Sequence, residues 1–166
     1  TDGASIEIME AEYPFLVEAN YFVPDTGGGG KYRGSLSVAR RFKYLKPGRV
    51  MLRTSRSNSV PRGLSGGMDG TPFNATLCVG GQEKALPRSM FIDTPVKDED
   101  VIMHMVPGAA GFGNPFERDP NLVLQDVLDE KMSPAYARRT YGVAIDVAAG
   151  KVDVAGTKAL RSQETS

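Results

Sequence analysis

The sequence predicts an α+β fold, mostly antiparallel β in residues 1–106 and short α-helices in the C-terminal third. Three observations carry the prediction. Short apolar runs in the first two thirds are bounded by Gly and Pro rather than sustained at helical spacing. The chain holds 19 Gly and 11 Pro in 166 residues, which favours strands and irregular loops over a bundle. After residue 119 the pattern changes to helical spacing with caps.

Taken in order, residues 5–23 alternate at Ile6 and Ile8 and again at Phe15 and Val17, predicting one or two strands broken near Pro14. Leu36, Val38, Phe42 and Tyr44 supply an apolar face for the next strand. "KPGRVMLRTSR" predicts a turn and a strand, and "VPRGLSGGMDG" a loop. Strands follow over 73–79 and 84–92, joined by the Gly80-Gly81 turn, and over 101–106. Leu122, Val123, Val127 and Leu128 share one helical face after a cap at Asp119 or Asn121. Ser133 caps a second helix that Gly142 stops. "VAIDV" predicts a strand, Gly150 a turn and 155–162 a last helix. The tail "SQETS" is expected to be disordered, and residues 1–166 are expected to form a single unit.

The totals exclude several classes. The formal net charge is zero, so nothing global points to nucleic acid or membrane. No run approaches the roughly 18 apolar residues of a spanning helix. The single cysteine, Cys78, rules out an internal disulfide framework, fits a reducing, cytoplasmic setting, and is expected in its apolar run as a buried, inert thiol. Thr1 as an N-terminal nucleophile gives way to a loose end at Thr1-Asp2-Gly3.

"DTGGGGKYRGS", residues 25–35, raises the question of a phosphate cradle. Gly27, Gly28, Gly29 and Gly30 precede Lys31 and Arg33. The nucleotide loop needs Gly at the position of Asp25 and Ser or Thr at that of Tyr32, so the magnesium-binding hydroxyl is missing. A turn joining two strands is the expectation. A second loop, "VPGAAGFGNPFERDP", has Gly108, Gly111 and Gly113 in the order G-x-x-G-x-G, not the dinucleotide order. His104, the only histidine, sits between Met103 and Met105 in a strand and is expected as a hydrogen-bonded core residue. With no second His and no further Cys, no metal site is expected from this chain.

Charge is sharply patterned. Residues 1–24 hold five acids and no base, and residues 26–68 hold ten bases and no acid. One reading is a basic face for nucleic acid. The other is an acidic strand pairing with a basic one across the glycine turn. Pairing is the expectation, because the net charge is zero and stacking aromatics are few. Docking of the basic strip on a partner chain is a third possibility.

Four blocks in order carry a family resemblance: "EAEYPFLVEANYFVPDTGGGGKYRGSLSVARRF", "RGLSGGMDG", "PGAAGFGNPFERDPNLVLQDVLDEKMSPAYARRTYGVAID" and "VDVAGTKALR". They resemble the C-terminal part of hydantoinase B proteins, the B-type portions of ATP-dependent hydantoinases and 5-oxoprolinases. Acetone and acetophenone carboxylase subunits are related. The resemblance implies a separately encoded, cleaved or trimmed B-type piece that shapes a site in a hetero-oligomer rather than catalysing alone. It implies a kinase-like A-type partner holding ATP and Mg2+, and a divalent metal in the B-type N-terminal portion. The implied chemistry is hydrolysis of cyclic amides, with ketone carboxylation as the alternative. The candidate site or interface residues are the two glycine loops with Lys31, Arg33 and His104; no catalytic residue is assigned. Ala109 and Ala110 replace a glycine run usual in the family, and Asn114 an Asp.

Overall fold

The structure, a computed structural model, describes residues 5–163. The readings of Thr1 and of the last tail residues, 164–166, lie outside those residues. Strands through residue 105 and helices after 119 give the expected α+β class. The chain divides into two compact units. The first holds residues up to Tyr21 with Val38–Ser59 and Pro72–Val106. The second holds Phe22–Ser37, Val60–Thr71 and Pro107 onward.

The first unit is built on sheets. It opens with a helix, α1 (Ile6–Glu12), where strand alternation was expected. Ile6 and Ile8 are both exposed, so no buried face enforces a strand there. Local chemistry decides instead. The Ser5 hydroxyl accepts from the Ile8 N–H, and Pro14 follows the C-terminal end. Strands β1 (Phe15–Val23), β2 (Ser37–Tyr44), β4 (Asn74–Val79), β5 (Gln82–Ala85) and β7 (Val101–Met105) form a sheet in the order β1-β2-β7-β4-β5. Strands β3 (Gly48–Arg53) and β6 (Phe91–Val96) form a separate antiparallel ribbon. The expected strand over 84–92 is therefore two pieces. Pro87 cannot donate to a ladder, so β5 stops at Ala85 and β6 starts afresh against β3. Phe73, Ala75 and Ile92 make one buried cluster, with Leu52 and Leu86 packed on it, and Ala39, Phe42, Val96, Val101 and Ile102 are buried as well.

The second unit combines the glycine loops with α2 (Pro120–Leu128), α3 (Pro134–Tyr141), the hairpin β8 (Ala144–Asp146) and β9 (Lys151–Asp153), and α4 (Val154–Ser162). Of the two candidates for the α2 cap, Asp119 takes the role and accepts from the Asn121 N–H; Ser133 caps α3 as expected, and Gly142 closes it in the left-handed region at φ 60°. The core is Val123, Val127, Met132, Ala137, Tyr141 and Val143. Leu122 and Leu128, expected on the buried face, are exposed; Asp126 is buried instead, in register with Val123 and Val127.

Candidate functional site

The glycines mark a place where three loops run backbone against backbone. Gly28 N–H donates to the Ala109 carbonyl at 2.8 Å, Gly111 N–H to Met68 at 2.9 Å, and Met68 N–H to Gly29 at 2.7 Å. Tyr32 and Phe112 exchange both backbone hydrogen bonds, at 3.0 and 2.9 Å. Residues 26–35, 61–71 and 107–114 are thereby laced together. A Cβ on Gly34 would fall on the Ala109 carbonyl, one on Gly67 on the Gly111 carbonyl, and one on Gly111 on the Gly29 carbonyl. These positions need glycine because another backbone already occupies the space.

That packing corrects the expected turn. β1 and β2 are neighbours in the sheet, and Glu18 does pair with Arg41 at 2.9 Å. Their connection is the long laced loop, not a tight hairpin. It does not make a phosphate cradle either. None of Gly27 to Gly30 has the positive φ that an alternating nest requires. Backbone from 68–69 and 111–112 fills the room a phosphate would take around Gly28 and Gly30. The residues present do not fit a nucleotide.

The charged residues of the loop act as ties. Arg33 donates from Nε to Asp126 Oδ2 at 2.9 Å and from Nη2 to Oδ1 at 3.0 Å. Arg118 Nη2 adds a third bond to Asp126 at 2.9 Å, and its Nη1 donates to the Lys31 carbonyl. Side-chain exposures of 20% for Arg33, 12% for Arg118 and 7% for Asp126 place this cluster out of bulk water. Lys31 pairs with Glu117 at 3.2 Å, where both side chains are about half exposed. Asp25 accepts from the backbone and hydroxyl of Ser133, both at 2.7 Å. Tyr136 donates to the Gly27 carbonyl at 2.9 Å, and burial raises its phenol pKa. In the neighbouring loop, the Gly63 N–H and then Arg62 hold the Asp69 carboxyl below its ordinary range.

His104 belongs to the first unit. It stands opposite Arg40 and Ala75 in the sheet, with ring centroids 5.6 Å from Phe42 and 6.4 Å from Phe73. The expected hydrogen bond is not made: Nδ1 is buried without a partner. Burial, with Arg40 second, lowers its pKa. Cys78, expected to be buried, is a half-buried free thiol. Gly108 and Gly113 take their places in the laced loops of the second unit, Gly113 at φ 76°.

The second unit also has a cleft of about 480 Å3 lined by Gly66, Met68, Asn114, Arg139 and Thr140 among others. It offers a guanidinium, an amide and a hydroxyl but no carboxylate, hence no acid–base pair. Among the described residues, no group of three His, Cys, Asp or Glu side chains gathers for a metal. No described helix is long and apolar enough to cross a membrane.

The basic segment is not a bare strip. Six of its ten bases, Lys31, Arg33, Arg41, Lys43, Arg49 and Arg62, pair with acids from across the sequence. Asp126, Arg118, Ser133 and Tyr136 were absent from the sequence-derived site. Asp126 was findable, since an acid three residues from Val123 and next to Val127 falls on the apolar face of its helix.

The family model for hydantoinase B/oxoprolinase matches residues 1–115. An uncharacterized protein of Methanocaldococcus jannaschii is 36% identical over 140 residues, covering 84% of this chain and 24% of its own length. Caprolactamase subunit beta of Pseudomonas jessenii is 29% identical over 166 residues, covering 96% of this chain and 28% of that subunit. The crystal structure of ATP-dependent caprolactamase from the same organism matches with a TM-score of 0.82 and 26% identity, over 96% of this chain and 28% of that one. Nucleotide-free acetone carboxylase matches with a TM-score of 0.85 at 22% identity, over 99% of this chain and 26% of that one; this likeness shows the fold. The chain spans about a quarter of the length of the curated relatives it matches.

Proposed function

Because this chain belongs to the hydantoinase B/oxoprolinase family, we propose that it works as a B-type component of an ATP-dependent complex that opens cyclic amides. In this reading it braces and shapes the site and is inactive by itself. The observation that carries the proposal is the alignment with caprolactamase subunit beta across 96% of this chain, reinforced by the match to the solved caprolactamase. The complex also contains a kinase-like A-type subunit and the remaining B-type sequence. ATP, Mg2+ and a divalent metal are held on those other parts, which agrees with a glycine loop already filled by backbone. In this reading the complex is cytoplasmic, with which the sparing use of cysteine, Cys78 alone in this sequence, agrees.

The geometry gives the chain a definite task. The Arg33–Asp126–Arg118 cluster and the Asp25–Ser133 bonds fix the loops against α2 and α3. Loops held this way can present a constant surface to a neighbouring subunit.

The test is native mass spectrometry of the untagged protein from its source, followed by assay of the assembly with ATP and hydantoin, 5-oxoproline or caprolactam. Co-purification with an A-type chain and further B-type sequence, and ATP-dependent ring opening of one substrate, is the expected result. A lone monomer or homodimer without such turnover overturns it. A second reading has its own support: the acetone carboxylase alpha subunit of Xanthobacter autotrophicus is 26% identical over an alignment covering 98% of this chain. ATP-dependent incorporation of labelled bicarbonate into a ketone, without amide hydrolysis, would establish that alternative.

A further inference from the structure

The five-stranded sheet has two margins, β1 and β5, and they are built differently. β5 is four residues long, fully exposed, and carries Gln82, Glu83 and Lys84, a margin blunted by length and charge. β1 is nine residues long with one charged side chain, Glu18, which Arg41 neutralises. Leu16 and Tyr21 are 43% and 49% exposed on it.

The backbone directions of β1 follow from two hydrogen bonds. Leu45 N–H donates to the Pro14 carbonyl at 2.9 Å, so the even-numbered positions turn their backbone groups toward β2. Glu18 meets Arg41 in that same register. Val17 N–H donates instead to Glu10 Oε1 at 2.7 Å, on the opposite side. The odd-numbered positions therefore present N–H and C=O groups to the open margin. Glu10 of α1 covers this margin at Val17. Ala19 and Tyr21 come next on it, and no described side chain accepts from their N–H groups.

We propose that the β1 margin at Ala19 and Tyr21 receives an added strand from the B-type sequence that the relatives carry beyond the quarter matched here. The occupant is an extended segment whose backbone pairs with both residues and whose apolar side chains cover Tyr21. The relatives named above are matched over 24% and 28% of their lengths, so ample B-type sequence exists to supply it. The inference rests on the reading of this chain as a B-type component.

Residue-resolved amide hydrogen exchange on the intact assembly tests it. Ala19 and Tyr21 should exchange as slowly as Glu18 and Asn20, whose N–H groups face β2; loss of that protection at the odd positions overturns the proposal. A photo-crosslinker in place of Tyr21 should capture B-type sequence from outside this chain; capture of a second copy of this chain overturns it. Ala19→Pro deletes one outward N–H and spares the pairing with β2. It should abolish retention of the strand-bearing partner in native mass spectrometry, and retention by a folded variant overturns the proposal. Where that variant fails to fold, the exchange experiment decides. An assembly that protects both amides yet opens no cyclic amide sinks the functional reading alone. An active assembly with both amides unprotected sinks this inference alone.

Discussion

Arg33 and Asp126 stand 93 positions apart in sequence and meet through two parallel hydrogen bonds of 2.9 and 3.0 Å. The fork of the guanidinium matches both carboxylate oxygens, and Arg118 adds a third bond to the same carboxylate. One acid thus holds a glycine loop and the segment leading into α2.

Removing the acid should cost more than removing either base. Asp126→Ala leaves two part-buried guanidiniums without their counter-charge and is expected to destabilise the protein by up to about 3–5 kcal/mol. Lys31→Ala breaks only the exposed pair with Glu117 and should cost less than about 1 kcal/mol. Urea midpoints of the two variants check the contrast. Equal midpoints would mean that the Asp126 cluster contributes no more than a surface pair.

Gly34→Ala and Gly48→Ala should move stability in opposite directions. The first puts a methyl group onto the Ala109 carbonyl and is expected to lose about 1–3 kcal/mol or more. Around Gly48 nothing lies within 4 Å of an added Cβ, and its φ is not positive. Alanine there restricts the unfolded chain and should stabilise by up to about 1 kcal/mol. Thermal melts of both variants give the comparison.

Ser133→Ala removes two bonds at once, the cap on the Tyr136 N–H at 3.0 Å and the hydroxyl donated to Asp25. A loss of about 1–2 kcal/mol is expected. Ser133→Thr, which keeps the oxygen, should recover most of it. Chemical denaturation of the pair of variants is the check, and an alanine variant as stable as the parent refutes the prediction.

Acid should weaken the first unit through His104. Burial lowers its folded-state pKa below the ordinary value of about 6.5. The unfolded chain therefore binds the proton more readily, and stability rises with pH in that window. The contribution is complete above about pH 6.5 and is lost as pH falls through that value toward the folded pKa. His104→Phe should flatten this part of a Tm-against-pH curve while leaving the carboxylate arm at lower pH. At the alkaline end, burial pushes Tyr44 and Tyr141 up to about 12. Here the folded state keeps the proton longer, so stability should fall as pH climbs above about 10. A flat melting curve between pH 10 and about 12 would contradict that.

Fold class, most strands, and the caps at Ser133 and Gly142 were legible in the sequence, because these follow from side-chain periodicity and bonds reaching only a few residues; folding chose Asp119 over Asn121 as the cap of α2. The sequence by itself also determined the family, because ordered blocks of residues carry that resemblance directly. Where a local signal competed with another local signal, the outcome was not legible: Ile6 and Ile8 alternate like a strand, but no buried face exists to use the alternation, and Ser5 caps a helix. The meaning of the glycines was decided only by tertiary structure. Their backbones are held close to loops 61–71 and 107–114, and no spacing rule reports which distant carbonyl will occupy the place of a missing Cβ. The ties at Arg33 and Lys31 were decided the same way. A basic run without nearby acids looks like a binding strip until folding brings Asp126 and Glu117 to it. Charge pairing depends on distance in space, and the chain order does not contain that distance.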